Sequence, residues 1–104
     1  MKYIKTFENI NEIEIGDYVK INIFLYIPPS LKKYYHFINN NISIVNSIDD
    51  DLIECKYSNI PIDIKFCFIH SNNDAVRIHR DFIVDFAKTK QELEAKLLAK
   101  KYNL

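Results

Sequence analysis

One glycine, Gly16, serves this entire 104-residue chain, and that scarcity bounds what the chain can build. A loop that wraps a nucleotide's phosphates needs several residues free to take positive φ or to let backbone approach closely. The sequence offers none, which excludes enzymes of the P-loop and dinucleotide-binding kinds. The glycine that is present stands where a strand begins. Glu14-Ile15-Gly16-Asp17 precedes Tyr18 to Ile23, where Val19, Ile21 and Ile23 share one face and Lys20 and Asn22 the other. A period of two marks a half-buried strand. Glycine takes positive φ without steric cost and aspartate tolerates tight turns, so Gly16-Asp17 reads as the turn that launches the first core strand.

The rest of the chain has the means to fold as one domain over 1–104. Its hydrophobic fraction of 48% separates it from disordered segments. Fourteen basic and fourteen acidic residues cancel. A general DNA coater or a polybasic membrane binder relies on excess cationic charge, so nucleic acid and membrane surfaces are disfavoured as partners, with a local basic patch left open. No apolar run approaches the roughly 18 residues that span a bilayer. Met1-Lys2-Tyr3-Ile4-Lys5 leads into charge and not into a secretory h-region. Two cysteines, Cys55 and Cys67, make a weak disulfide signal, so reduced thiols in the cytoplasm are expected.

Taken in order, residues 1–13 read as a leading strand or arm anchored by Tyr3, Ile4 and Phe7. A first core strand spans roughly Asp17 to Ile27 and is stopped by Pro28-Pro29. Ser30 is placed to cap a helix over Leu31 to Ile38, with Leu31, Tyr34, Tyr35 and Ile38 on one stripe and Asn39-Asn40-Asn41 ending it. A hairpin follows, from Ile42 through the turn Asp49-Asp50-Asp51 to Tyr57, with Ile42, Ile44 and Ile48 in phase and Val45-Asn46 interrupting. A second hairpin pairs Ile62–Ile69, whose Ile62, Ile64, Phe66 and Phe68 alternate, with Ala75–His79. Phe82 to Phe86 makes a short closing strand. Thr89-Lys90-Gln91-Glu92 has capping-box spacing and opens a helix to about Lys101, docked by Leu93 and Leu97 with Lys96 and Lys100 in water. That helix packs on its own domain or on a second subunit. The expected core is Val19, Ile21, Ile44, Ile53, Cys55, Ile64, Phe66 and Phe68. The fold class is mainly β: a small antiparallel barrel, with a short helix in the first long loop and a C-terminal α-helix.

Chemistry is sparse. His36, His70 and His79 fall on different predicted elements, and neither a CxxC nor an HExxH pattern exists, so no metal or other cofactor is implied. Asp49-Asp50-Asp51 lacks the spaced ligands of a calcium loop and reads as a solvated turn. Both cysteines read as buried small hydrophobes, a Cys–His pair in space being left open. No catalytic constellation appears, so a non-enzyme is expected. The most informative cluster is Arg77-Ile78-His79-Arg80, which holds both arginines of the chain. On a strand Arg77 and His79 share a face, and the guanidinium fork binds carboxylate or phosphate in a way lysine does not reproduce. Arg77, His79 and Arg80, with a ring from Tyr34, Tyr35, His36 or Phe82 beside them, would hold a small anionic ligand. The plainer account pairs Arg77 with Asp85 or Glu54 and Arg80 with Asp81. The Tyr34-Tyr35 face of the first helix is either a recognition surface for a protein partner or a cap on the end of the barrel. RNA contact is a third, weaker candidate.

Two resemblances add to this. Gly16-Asp17-Tyr18-Val19 is similar to the first strand of small SH3-like barrels, which implies a fold and carries no chemistry. The start Met1-Lys2-Tyr3-Ile4-Lys5-Thr6-Phe7-Glu8, the Gly16–Val19 strand, the Asn39–Asn41 turn and the closing Lys101-Tyr102-Asn103-Leu104 resemble, in that order, many small uncharacterised proteins of phages and large DNA viruses. An abundance of Ile, Asn, Lys and Tyr agrees with the AT-rich genomes of such sources. The resemblance implies action in the host-cell cytoplasm, where an anion binder would sequester a nucleotide immune signal and antagonise host defence.

Overall fold

A computed structural model describes residues 13–69 and 73–102. The leading arm expected over 1–13 lies outside them, apart from Ile13, whose side chain is buried. Alternation builds the first strand, β1 (Tyr18–Ile21), with Val19 and Ile21 fully buried. Gly16 takes φ of 96°, the left-handed region where a side chain is strained. The turn is stitched to the next strand, since Gly16 N donates to Val45 O (2.9 Å) and Val45 N to Asp17 O (2.8 Å). Asp17 is itself buried. Its Oδ2 accepts from Glu14 N (2.9 Å), and Lys88 Nζ lies 3.0 Å from its Oδ1.

β1 is shorter than the Asp17–Ile27 strand expected. Past Ile21 its partners run out: Asn22 N donates to Phe82 O (2.9 Å), and at Ile23 a side chain replaces the neighbouring strand. Asn39 Oδ1 accepts from Ile23 N (2.8 Å) while its Nδ2 donates to Ile23 O (3.2 Å). Phe24, Leu25 and Tyr26 then turn outward to solvent. A 3-10 turn over Pro29–Leu31 leads into helix α1 (Lys32–Asn40). Ser30 does not cap it. Leu31 N donates to Pro28 O (2.9 Å), so backbone and not a hydroxyl closes the first turn. The expected stripe holds: Ile38 is buried, and Tyr34 and Tyr35 pack half-buried against the core. At the other end Asn40 and Asn41 fold their side chains back, donating Nδ2 to His36 O (2.7 Å) and Phe37 O (2.8 Å), the carbonyls four residues earlier.

β2 (Ile42–Asp49) and β3 (Leu52–Lys56) form a hairpin, with Asp50 in the left-handed region at φ of 59°. Here the expected phase is corrected. Ser43 and Val45 face the core, and Ile44 is half-buried on the opposite side. A bulge at Asn46 lies between the pairs Val45–Cys55 and Ser47–Glu54, so Ile48 stands opposite Ile53 on the core face. Ile44 and Ile48 look in phase by number, but one extra residue puts them on different faces.

The second correction is larger. Residues 62–69 are not a strand: Ile62–Cys67 is 3-10 helical, with Ile64 N donating to Pro61 O (3.2 Å) and Phe68 N to Lys65 O (3.1 Å). β4 (Ala75–His79) occupies the free edge of β3 over its whole length, so 62–69 finds no ladder beyond a bridge from Ile69 to Ala75. Coiled this way, Ile64 and Phe68 go inside, whereas Ile62 and Phe66 go out, Phe66 being 76% exposed. A 3-10 turn over Arg80–Phe82 then delivers β5 (Ile83–Ala87), which pairs with β1. Helix α2 (Lys90–Tyr102) is capped as its sequence predicts, Thr89 Oγ1 accepting from Glu92 N (3.1 Å), and buries Leu93. Its lysines are not simply in water: Lys96 and Lys100 reach Asp85 at 4.0 and 3.0 Å.

These strands form one antiparallel sheet in the order β4-β3-β2-β1-β5. The sheet is open, with β4 and β5 at its two edges, so the barrel closure expected from sequence is not seen among the described residues. α1 and the 62–69 segment supply Ile38, Ile64 and Phe68 to one buried cluster with Val19, Ile21, Ile53, Cys55 and Ile78 of the sheet.

Candidate functional site

The outer stripe of α1 places Lys32, Lys33, His36 and Asn40 at spacings that share one side of a helix. They border an open cleft of about 730 Å³ between α1, the end of the outward segment at Ile27 and the turn at Pro61–Ile64. Phe37 and Ile64 give it an apolar floor, and Asp63 stands across from the helix. Lys33 Nζ lies 3.2 Å from Asp63 Oδ2, an exposed pair that ties the two walls together. Lys32 and His36 are the remaining ionisable groups of the lining, beside the asparagine amides at 39–41. Asn40 Nδ2 sits 3.4 Å from His36 Nδ1, against the ring it borders.

The arginine cluster has a different geometry. β4 sets Arg77 and His79 on the face opposite Val76 and Ile78, which point into the core. Arg77 Nε lies 3.5 Å from Glu54 Oε1 on β3, and Asn46 Nδ2 donates to Glu54 Oε2 (2.6 Å). The carboxylate is buried, and the guanidinium side chain stays 66% exposed. His79 Nδ1 accepts from Asp81 N (3.2 Å) and lies 3.4 Å from Asp81 Oδ2, so the ring closes the turn after the strand. Arg80 reaches back to the β2–β3 turn, Nη2 donating to Asp50 O (3.1 Å) and its backbone N to Asp51 O (2.8 Å). Of Asp85 and Glu54, the two partners that the sequence offers Arg77, it is Glu54 that the structure places beside it.

The aromatics do not join that cluster. Tyr34 packs edge-on to Phe68 (5.2 Å between centroids) and beside Tyr35 (5.0 Å), on the core side of the sheet. Burial, reinforced by Tyr35, pushes the Tyr34 hydroxyl up to about 12, so it stays neutral at physiological pH. Phe82 packs against Phe24 (5.3 Å). Arg77 and His79 thus share one face, and Tyr34 and Tyr35 lie on the other. Both cysteines are free. Burial raises the Cys55 thiol to about 12, which removes it as a nucleophile. Among the described residues no three metal-ligating side chains converge, and no helix is long and apolar enough to cross a membrane. The cleft itself went unread in the sequence, because Ile27, Asn39 and Pro61 come from three separated segments, only α1 among them periodic. No family model, curated protein or solved structure matches this chain.

Proposed function

We propose that this is a non-catalytic binding protein that takes a small anionic ligand with a flat or apolar body into the α1 cleft. One observation carries the reading: an apolar floor of Phe37 and Ile64 lies below a rim bearing Lys32 and His36. Small-molecule sites combine such a floor with a few placed polar groups, in volumes of roughly 300–1,000 Å³. A nucleotide answers to that description, with its phosphate toward the lysine and its base against the ring and amide groups. The anionic ligand expected at Arg77, His79 and Arg80 is therefore proposed at a different place. The resemblance to phage proteins supports, within this proposal, a nucleotide immune signal of the host as the ligand, bound in the host cytoplasm so that defence is antagonised. The return of β5 to β1 after a 3-10 turn supports reading the sheet as SH3-like.

Calorimetry against mono-, di- and cyclic nucleotides, with native mass spectrometry of the purified protein, tests the proposal. A charge-assisted contact contributes roughly 1.5–3 kcal/mol, so Lys32→Glu is expected to weaken binding about tenfold to a hundredfold without moving the melting temperature. No heat with any nucleotide and no co-purifying small molecule would overturn it. A protein partner is the second reading. It is favoured by Phe24, Leu25 and Tyr26, three consecutive large side chains exposed on the segment that ends at Ile27 in the cleft wall. A stoichiometric protein in the native spectrum would select it.

A further inference from the structure

The two edges of the sheet are treated differently. On β5, the outward carbonyls of Val84 and Phe86 accept from Lys100 Nζ (3.4 Å) and Lys96 Nζ (3.0 Å) of α2, so long cationic side chains cover that edge. β4 is arranged otherwise. Tyr57 N donates to Asp74 O and Arg80 N to Asp51 O, each at 2.8 Å, which turns residues 74 and 80 toward β3. In an antiparallel ladder alternate residues send both backbone groups to the same neighbour, so Val76 and Ile78 also face β3. Ala75 and Arg77 then present N–H and C=O outward and His79 its N–H, while the His79 carbonyl opens the 3-10 turn of Arg80–Phe82. Ala75 uses its pair on Ile69 (2.7 and 3.1 Å), and among the described residues this bridge is the only pairing on that side of β4.

We propose that the outer edge of β4 at Arg77 and His79 receives an extended acidic segment of a partner protein, added as a further strand. Three backbone groups are aimed at the newcomer, the N–H and C=O of Arg77 and the N–H of His79, and the side chains beside them choose its chemistry. Residues directly opposite in a pair share a face, so partner positions opposite Arg77 and His79 fall beside a guanidinium and an imidazole. Carboxylates suit both. Glu54 meets Arg77 through Nε at 3.5 Å, from the β3 side, and most of the guanidinium side chain remains in solvent on the other. The position between the two carboxylates lies alongside Ile78, on the core face, and suits an apolar side chain. The segment sought is therefore acidic–apolar–acidic. A second copy of β4 fits poorly, because antiparallel self-pairing sets Arg77 and His79 against their own like. This site is separate from the α1 cleft and does not depend on how that cleft is used.

The probe is a short blocked peptide alternating glutamate and valine, with a lysine–valine peptide as control, titrated into isotopically labelled full-length protein. Binding of the acidic peptide, with slowed hydrogen exchange at the Arg77 and His79 amides, is the expected result. Arg77→Gln keeps an amide donor for Glu54 and should weaken the acidic peptide about tenfold. Three results overturn the inference. They are no binding, equal binding of the control, or binding that leaves those two amides exchanging as before. Concentration-dependent protection without peptide would make a second copy the occupant and overturn it too.

Discussion

Phe66 and Phe68 stand two residues apart and alternate identically in the sequence, yet the coiled 62–67 segment sends one into water and the other into the core. Phe68 is 4% exposed and makes ring contacts with Tyr34, Tyr57 and Phe37 at centroid distances of 5.2, 6.0 and 6.1 Å. Truncating a buried phenylalanine to alanine costs about 3–5 kcal/mol, and three aromatic neighbours argue for the upper part of that range. A domain with roughly 5–15 kcal/mol of stability would be left near its margin, its melting temperature lower by about 20 °C or more. Phe68→Leu keeps most of the volume and should cost about 1.5 kcal/mol or less, so it remains measurable if the alanine variant does not fold. Phe66→Ala, at a site open to solvent, should stay within about 0.5 kcal/mol of the parent. With no tryptophan in the chain, urea unfolding is best followed by far-ultraviolet circular dichroism. A Phe66→Ala loss equal to or larger than that of Phe68→Ala would restore the alternating strand and refute the coiled segment.

Asp17→Ala removes the acceptor of Glu14 N and the partner of Lys88, whose exposed ammonium can return to water. The cost expected in urea melts is therefore that of one charged hydrogen bond, about 1.5–3 kcal/mol, and not the larger figure for stranding a buried charge. The thiol of Cys55 and the hydroxyls of Tyr34 and Tyr57 are all raised by burial, the first two to about 12 from ordinary values of 9.0 and 10.0. The fold favours their protonated forms. In the unfolded chain these groups lose protons first, so stability is complete below pH 9 and falls as pH climbs toward 12. Circular dichroism and tyrosinate absorbance recorded together should show structure lost as those tyrosines ionise; ionisation at ordinary values with structure intact would contradict the burial.

The legible parts of the fold were those where one periodicity had one meaning. Val19 and Ile21, or Ile53 and Cys55, alternate beside charged neighbours and were placed on the core face correctly. Thr89 and Glu92 named a cap that forms. The alternation of Ile62, Ile64, Phe66 and Phe68 had two meanings, because every second residue includes every fourth, and only the competition for the edge of β3 selects between them. The Asn46 bulge is likewise a pairing event: the interruption at Val45-Asn46 shows along the strand, but that it moves Ile44 and Ile48 to different faces does not. Arg77 was read both as a ligand group and as a partner of Glu54. Choosing the partner requires knowing that β3 and β4 are neighbours in that register. The cleft was least legible, since depth between α1 and Pro61 is a property of packing and leaves no pattern in either segment.

Asn39 has a consequence for how this chain can change over generations. By holding both backbone groups of Ile23, it fixes the point where the stretch from Phe24 to Leu31 departs from the sheet, and the α1 helix that carries Asn39 sets the point where the stretch ends. A loop with pinned ends lengthens at little cost, roughly 0.6 kcal/mol for each doubling. That stretch can therefore gain, lose or exchange residues while the sheet keeps its register. A substitution at Asn39 would unfasten strand and helix together. Divergent relatives should differ most between these points and least at the amide that joins them.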